Sequence, residues 1–207
     1  MNRREFLCSL GLISAGMLTF GQACAVGKTL VVYFSRTGEQ YGVGVISKGN
    51  TAIAAEIIAR KTGADLCEIK VKNDTYPDRY KPLCDVAKVE LNSNARPEYV
   101  KSIADIGGYD TIFIGAPVWW GDWPMVMYTF FEKEDLAGKT LVPFCTHAGS
   151  GLSGFDRKLA AACPKSRIAA GLAMTGSEAQ DHPERIGKAV DGWLKKLAFQ
   201  GVVPGKP

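Results

Sequence analysis

The sequence alternates apolar segments with helical patterns along most of its length, and this alternation limits the fold more than any other feature. Five segments are almost continuously apolar or β-branched: Lys28–Phe34, Ala64–Lys70, Tyr109–Gly115, Thr140–Cys145 and Arg167–Met174. Five helical patterns lie between or after them: Asn50–Thr62, Asp85–Ile106 with a break at Pro97, Pro124–Glu134, Leu152–Cys163 and His182–Phe199. Strands without a polar face are typical of a parallel sheet buried between two layers of helices. The alternation therefore predicts an α/β three-layer sandwich with a five-stranded parallel sheet in the order 2-1-3-4-5.

The first 25 residues have the layout of a secretory signal peptide. Arg3 and Arg4 precede an apolar stretch from Leu7 to Phe20 and a small-residue site ending at Ala25. The paired arginines indicate a twin-arginine signal, and hence a periplasmic or otherwise exported protein. An ordinary signal peptide and a lipid-bearing Cys24 are the alternatives. The apolar stretch is too short to predict a membrane span.

Length and composition narrow the class of protein further. The chain has 207 residues, of which 46% are hydrophobic and 22% are charged. These values are ordinary for one globular domain and exclude a disordered or collagen-like chain. The formal net charge is +4 without any basic run, so nothing indicates nucleic-acid binding. We therefore predict a signal peptide at 1–25, one domain at 26–199 and a loose tail at 200–207.

Four cysteines remain beyond the predicted signal peptide, and they show no metal-binding pattern. Cys145 ends one apolar segment and Cys163 precedes the next, so we expect these two to be buried free thiols at opposite ends of the sheet. Whether Cys67 and Cys84 pair is left open by the sequence. No two cysteines have CxxC spacing, so no metal site is predicted.

A polar loop after the first predicted strand leads into the first helix. It consists of Ser35, Arg36, Thr37 and Gly38, an insert at Glu39–Lys48, and Gly49, Asn50 and Thr51 at the start of the helix. Hydroxyl groups, backbone N–H groups and the positive end of a helix together suit a phosphate dianion. The alternation of glycine and apolar residues at 42–46 of the insert predicts a small hairpin or a flap over the site.

Two further loops should lie beside the first, because the carboxyl ends of parallel strands meet at one edge of the sheet. The loop at Gly115–Pro124 carries three tryptophans. Neighbouring side chains of an extended segment point to opposite faces, so Trp119 and Trp120 cannot easily both face the sheet. The indole that faces away from the sheet would suit a planar ligand. The loop at Thr146–Gly151 contains small residues that let a ligand ring approach the backbone.

These three loops, in this order and spacing, resemble the three FMN-binding loops of the flavodoxin family. The resemblance spans about Lys28 to Phe199 and implies a flavodoxin-like fold with FMN as cofactor. It implies that the phosphate is held by Ser35, Arg36, Thr37, Gly38, Asn50 and Thr51. It implies that one side of the isoalloxazine is flanked by Pro117, Val118, Trp119, Trp120 and Gly121, and the other by Thr146, His147, Gly149, Ser150 and Gly151.

Three other kinds of site fit the sequence less well. Residues 149–154 match GxGxxG, but they follow the fourth strand, and the acidic residue that a nicotinamide dinucleotide site needs about 20 positions later is absent. A phosphoacceptor domain needs acidic residues where Ser35 and Ala116 stand. The GxSxG motif expected of a hydrolase does not occur in the sequence.

The resemblance implies one of two functions. In the first, the chain is an FMN-dependent electron carrier or reductase that passes electrons to a redox partner protein or to a small acceptor such as a quinone. No side chain is then predicted to be catalytic. In the second, the chain binds or sequesters FMN without redox turnover.

Overall fold

The structure is a computed structural model that describes residues 27–203. The predicted signal peptide at 1–25 lies outside the described residues, as do residues 204–207. No helix among residues 27–203 is both long and apolar enough to cross a membrane.

Nine strands and six helices alternate along the described part of the chain. The strands are β1 Thr29–Phe34, β2 Gly38–Gln40, β3 Gly44–Ile46, β4 Asp65–Val71, β5 Tyr99–Lys101, β6 Thr111–Pro117, β7 Thr140–His147, β8 Arg167–Ile168 and β9 Leu172–Thr175. The helices are α1 Asn50–Thr62, α2 Tyr80–Asn92, α3 Met125–Lys133, α4 Phe155–Ala162, α5 Gly176–Asp181 and α6 Pro183–Phe199. This arrangement confirms the predicted α/β class.

The main sheet has the strand order β5-β4-β1-β6-β7, with β8 and β9 both paired to β7. All of these pairs are parallel except β4–β5. The parallel strands therefore follow the predicted order 2-1-3-4-5, with the fifth position divided between two short strands. Pro143 stands in β7 between the segments that pair with β8 and β9. Because proline has no N–H to donate to a ladder, a gap at this position is expected.

The predicted helix over 85–106 is wrong at both ends. Helix α2 starts at Tyr80, where the N–H of Leu83 donates to the carbonyl of Arg79 at 3.1 Å, and it ends at Asn92. The chain then turns through Asn94, which has a φ of 51°, and continues as the edge strand β5. The spacing of apolar residues near position 103 is similar to that of a helix, but these residues follow β5, which hydrogen bonds to β4.

Two apolar clusters, one on each face of the sheet, form the core. One cluster packs β1, β6 and β7 against α3 and α4, and includes the fully buried Trp123 stacked on Phe155. The other packs the same strands against α1 and α6. Val202 is buried in this second cluster, so the packed chain extends beyond Phe199, where the prediction ended the domain.

The four cysteines of the described residues are free thiols. Cys145 and Cys163 are buried, as predicted, and burial raises the pKa of Cys145 to about 12 and that of Cys163 to about 11. Cys67 is buried and Cys84 is half-buried, and they do not form a disulfide.

Candidate functional site

The loops after β1, β6, β7 and β9 surround one cavity of about 380 Å³ at the carboxyl ends of the strands. We call it the loop cavity. Seven of the residues predicted to bind a ligand line it: Asn50, Pro117, Val118, Trp119, Thr146, His147 and Gly149. The N–H of Val118 donates to the carbonyl of Thr146 at 2.9 Å, which fixes the second loop against the third.

The start of α1 reaches this cavity at Asn50 and carries unpaired backbone donors. Gly49 precedes the helix without a capping side chain, and no acidic residue lies in the first turn. The hydroxyl of Ser35 accepts the N–H of Ala52 at 3.1 Å. Within residues 27–203, the N–H groups of Asn50 and Thr51 have no acceptor. Free N–H groups at a helix N-terminus form an anion-binding site.

Asn50 and Thr51 are held in place by residues distant in sequence. The hydroxyls of Thr51 and Thr146 share a buried hydrogen bond of 2.7 Å, which joins α1 to the end of β7. The side-chain amide of Gln180 donates to the Asn50 Oδ1 at 2.8 Å and to the Lys48 carbonyl at 2.7 Å. Thr51 is therefore a buried brace of the cavity, and Asn50 is an oriented lining residue.

Arg36, predicted to contact phosphate, lies outside the lining of the loop cavity. Its guanidinium forms an ion pair with Asp74 and donates to the carbonyl of Tyr76 at 3.1 Å. Its Nε is buried and has no hydrogen-bond partner among the described residues. Ser35, Thr37 and Gly38 are also absent from the lining. The segment 35–38 thus supports the cavity through Ser35 and through the ion pair of Arg36.

The insert after the first loop forms the predicted hairpin. Strands β2 and β3 pair in an antiparallel manner, and the turn between them contributes Tyr41, Gly42 and Val43 to the cavity wall. Glu39 secures the hairpin, because its N–H donates to the Asp78 carbonyl at 2.7 Å and its carboxylate accepts the N–H of Tyr80 at 2.9 Å. The hairpin is therefore a wall of the site, fixed to the start of α2.

The tryptophan loop places its two neighbouring indoles differently. Trp119 lines the loop cavity and packs edge-on against Phe34 and Tyr76, at 5.5 Å between ring centroids in each case. Trp120 and Gly121 have φ values of 53° and 73° and form a tight turn closed by two hydrogen bonds between Trp119 and Asp122. The turn directs Trp120 away from the loop cavity, which it was predicted to flank. Gly121 is also outside the lining.

Asp122 connects this turn to the neighbouring helices. Its carboxylate accepts hydrogen bonds from the N–H of Trp123 at 2.8 Å and from the hydroxyl of Tyr128 at 2.9 Å. It also pairs with the Lys158 ammonium at 3.1 Å, which itself donates to the Gly121 carbonyl at 2.5 Å. These contacts fix the backbone that positions Trp119.

The third loop brings His147 and Gly149 to the cavity. The Nδ1 of His147 accepts the N–H of Gly149 at 2.9 Å, so Nδ1 is unprotonated and Nε2 carries the proton in the neutral ring. Burial lowers the pKa of His147 below its usual 6.5, against the opposite effect of Glu178. Ser150 and Gly151 are not in the lining; their carbonyls accept hydrogen bonds from Ser153 and Cys145.

Acidification should destabilise the protein through His147. A lowered pKa in the folded state means that the unfolded chain binds more protons, so stability is lost as the pH falls below about 6.5. Urea unfolding at pH 7.5 and pH 5.5 measures this loss. His147→Gln should lose less stability than the wild type over the same interval. An equal loss in the two proteins would contradict a lowered pKa of His147.

The predicted site residues leave out nine residues of the cavity lining. Four belong to the insert that was predicted as a hairpin or a flap over the site (Gln40, Tyr41, Gly42 and Val43), and Ala148 belongs to the third loop. The others are the α2 residue Tyr80, and Thr175, Gly176 and Ser177 at the end of β9 and the start of α5. The last group had a usable signal, because it follows the carboxyl end of the fifth strand position. Tyr80 had none, because its place depends on the contact between the hairpin and α2.

A family model for flavodoxin matches residues 28–189. The chain belongs to the flavodoxin family. No curated protein matches it. The loop cavity lies at the carboxyl ends of β1, β6 and β7, which is the edge of the sheet where the three loops were predicted to meet.

Three solved structures are similar over nearly their whole length. A protein from Bacteroides eggerthii DSM 20697 named as a flavoprotein is 31% identical, with a TM-score of 0.62 over 83% of this chain and 98% of that chain. Another from Bacteroides uniformis ATCC 8492 is 29% identical, with a TM-score of 0.63 over 82% and 99%. A flavoprotein from Lactobacillus acidophilus NCFM, crystallised in complex with FMN, is 25% identical, with a TM-score of 0.59 over 74% and 96%.

Proposed function

We propose that the chain binds FMN in the loop cavity and transfers electrons from it to a redox partner protein or to a small acceptor such as a quinone. One observation carries the proposal: a single cavity joins Asn50, at the start of α1, to an aromatic wall that includes Trp119, and the N–H groups of Asn50 and Thr51 have no acceptor among the described residues. A phosphate monoester on a flat ring system matches both parts. The similar Lactobacillus flavoprotein crystallised with FMN supports this choice of ligand.

The residues present fit each part of FMN. The phosphate would be held by the N–H groups of Asn50 and Thr51 and by the side chain of Asn50, without a carboxylate in the first turn to repel it. The ring would lie along Trp119 and the third loop, where Gly149 has a φ of 122° and open space beside its backbone. A volume of about 380 Å³ is within the usual range for ligand cavities, about 300–1,000 Å³.

Bound FMN supplies reversible transfer of one or two electrons. The chain's own residues bind and orient it. His147 is kept neutral and offers Nε2–H as a donor, because Nδ1 is engaged by Gly149. Trp119 and the hairpin residue Tyr41 limit the access of water to the cavity.

A reductive titration tests this function. The purified chain is loaded with FMN, freed of excess by gel filtration, and reduced with dithionite under anaerobic conditions. Duroquinone is then added. We expect flavin absorbance to bleach and to return while FMN stays with the protein. Absence of FMN uptake would refute the proposal, and recovery only after FMN has left the protein would favour the sequestering alternative.

Asn50→Ala should weaken binding of FMN more than binding of riboflavin. The substitution removes a donor beside the phosphate position, at an expected cost of about 1–2 kcal/mol in the binding free energy of FMN. Riboflavin has no phosphate, so its binding does not depend on this donor. Flavin fluorescence quenching gives both dissociation constants. Asn92→Ala, at the exposed end of α2, is the control. Equal losses for the two flavins would place the phosphate elsewhere.

We also propose that the protein is exported through the signal predicted at residues 1–25. The proposal rests on the charged start with Arg3 and Arg4, the apolar stretch and the small-residue site. Replacing both arginines by lysine should leave the protein in the cytoplasm, as measured by cell fractionation and immunoblotting. Unchanged export of this variant would instead indicate an ordinary signal peptide.

A further inference from the structure

A second cavity of about 430 Å³ lies between the start of α2 and the tryptophan loop. We call it the α2 cavity. It shares Gln40, Tyr80, Val118 and Trp119 with the loop cavity, so the two cavities adjoin and are separated only by shared wall residues. None of the residues predicted from the sequence, apart from those of the tryptophan loop, belongs to it.

The lining of the α2 cavity favours an uncharged, flat ligand. The buried side chains of Leu83 and Ala87 line it together with the indoles of Trp119 and Trp120. Among the described residues, the charged ones in its lining are Lys81 and Asp85, which have opposite signs and are both exposed. Aromatic walls stack with flat rings, and an apolar lining penalises a ligand that carries a net charge.

The outer wall of the α2 cavity is held in position before any ligand arrives. Trp120 is 53% exposed, yet its indole N–H donates to the Cys84 carbonyl at 2.9 Å. The Lys88 ammonium lies 4.5 Å from the centroid of its ring. A half-exposed indole fixed by two contacts needs little further ordering when a ligand binds, which favours affinity.

We propose that the α2 cavity binds a flat, uncharged, conjugated ring that carries carbonyl groups, of the quinone class. This inference rests on the proposed function, since it gives the small acceptor a site beside the FMN site. The Gln40 amide and the Lys81 ammonium are donors in the lining that suit carbonyl oxygens. Continuity through Trp119 and Tyr80 brings such a ring next to the loop cavity without entering it.

The thiol of Cys84 reports directly on this cavity. It lines the α2 cavity and is half-buried, while the other three cysteines of the described residues are buried. Duroquinone is a suitable probe because its ring is fully substituted and does not add thiols readily. We expect duroquinone to slow iodoacetamide alkylation at Cys84 by about tenfold at saturation, as read by peptide mass spectrometry. NADH at the same concentration should give no protection.

Variants that fill the cavity provide a second measurement. Cys84→Phe should weaken duroquinone binding at least about tenfold in equilibrium dialysis, which corresponds to about 1.4 kcal/mol. Ala87→Leu, a smaller change, should weaken it as well, and circular dichroism checks that both variants fold. Val89→Phe is the matched control, because it adds the same ring to an exposed position of α2 outside the cavity. Its affinity should equal that of the wild type.

The outcomes separate this inference from the proposed function. An unchanged alkylation rate at Cys84, protection by NADH instead of duroquinone, or equal affinities of Cys84→Phe and Val89→Phe would each overturn the α2 site. Each of these can occur while FMN still binds and cycles in the reductive titration. Conversely, protection of Cys84 in a chain that takes up no FMN would support the α2 site and refute the FMN function.

Discussion

Gly49→Ala should abolish most of the affinity for FMN. A Cβ at position 49 would lie 2.5 Å from the Arg36 carbonyl oxygen and closer still to the Ser35 Oγ. Because the nearest atoms include backbone, the loop after β1 must move away from the start of α1. We expect FMN binding to lose about 3 kcal/mol, roughly a hundredfold, since displaced N–H groups each forfeit a hydrogen bond to a charged group. Flavin fluorescence titration measures the loss.

The same substitution should lower the free energy of unfolding by about 1–3 kcal/mol, as is typical of overpacking. Gly192→Ala is the control, because a Cβ there meets nothing within 4 Å and the site lies in α6. It should leave FMN affinity unchanged and stabilise the helix by about 0.5–1 kcal/mol. If Gly49→Ala bound FMN as tightly as the wild type, the join between Ser35 and α1 would not be part of the phosphate site.

The parallel part of the fold could be predicted because its signal is local. Each of the strands β1, β6 and β7 is apolar on both faces, and α1 lies within the bounds given by its apolar spacing. The edge strand β5 could not be predicted in this way. It exists because residues 99–101 hydrogen bond to β4, a contact that periodicity does not encode. A three-residue strand also has too short a pattern to differ from the end of a helix.

In the candidate site, the positions of the loops could be predicted from the sequence, but the directions of some side chains could not. The rule that carboxyl ends of parallel strands meet predicts that the three loops converge, and the resemblance to the flavodoxin family adds Asn50, Trp119 and His147, which line one cavity. The directions of individual side chains were not predictable. Arg36 is turned towards Asp74, which is 38 residues away, and Trp120 is held by the Cys84 carbonyl, which is 36 residues away. Such partners become visible only when the chain is folded.

Trp119→Ala should weaken FMN binding by about 1–3 kcal/mol, or about 5- to 150-fold. The indole lines the loop cavity, and its removal takes away both a stacking surface and apolar area that excludes water. Its edge-on contacts with Phe34 and Tyr76 are also lost, so the protein should become less stable. The dissociation constant is therefore measured at a temperature where circular dichroism shows the variant fully folded.

Trp120→Ala separates stacking from a general effect of losing an indole in this loop. Trp120 lies outside the loop cavity, and its N–H is engaged by the Cys84 carbonyl. Its removal should change FMN affinity by less than about twofold, while affinity for duroquinone falls because Trp120 lines the α2 cavity. A reversed pattern, with FMN affinity dependent on Trp120 and indifferent to Trp119, would mean that the flavin ring occupies the α2 cavity. Because Trp119 lines both cavities and Trp120 lines only the α2 cavity, Trp120→Ala tests the α2 cavity by itself.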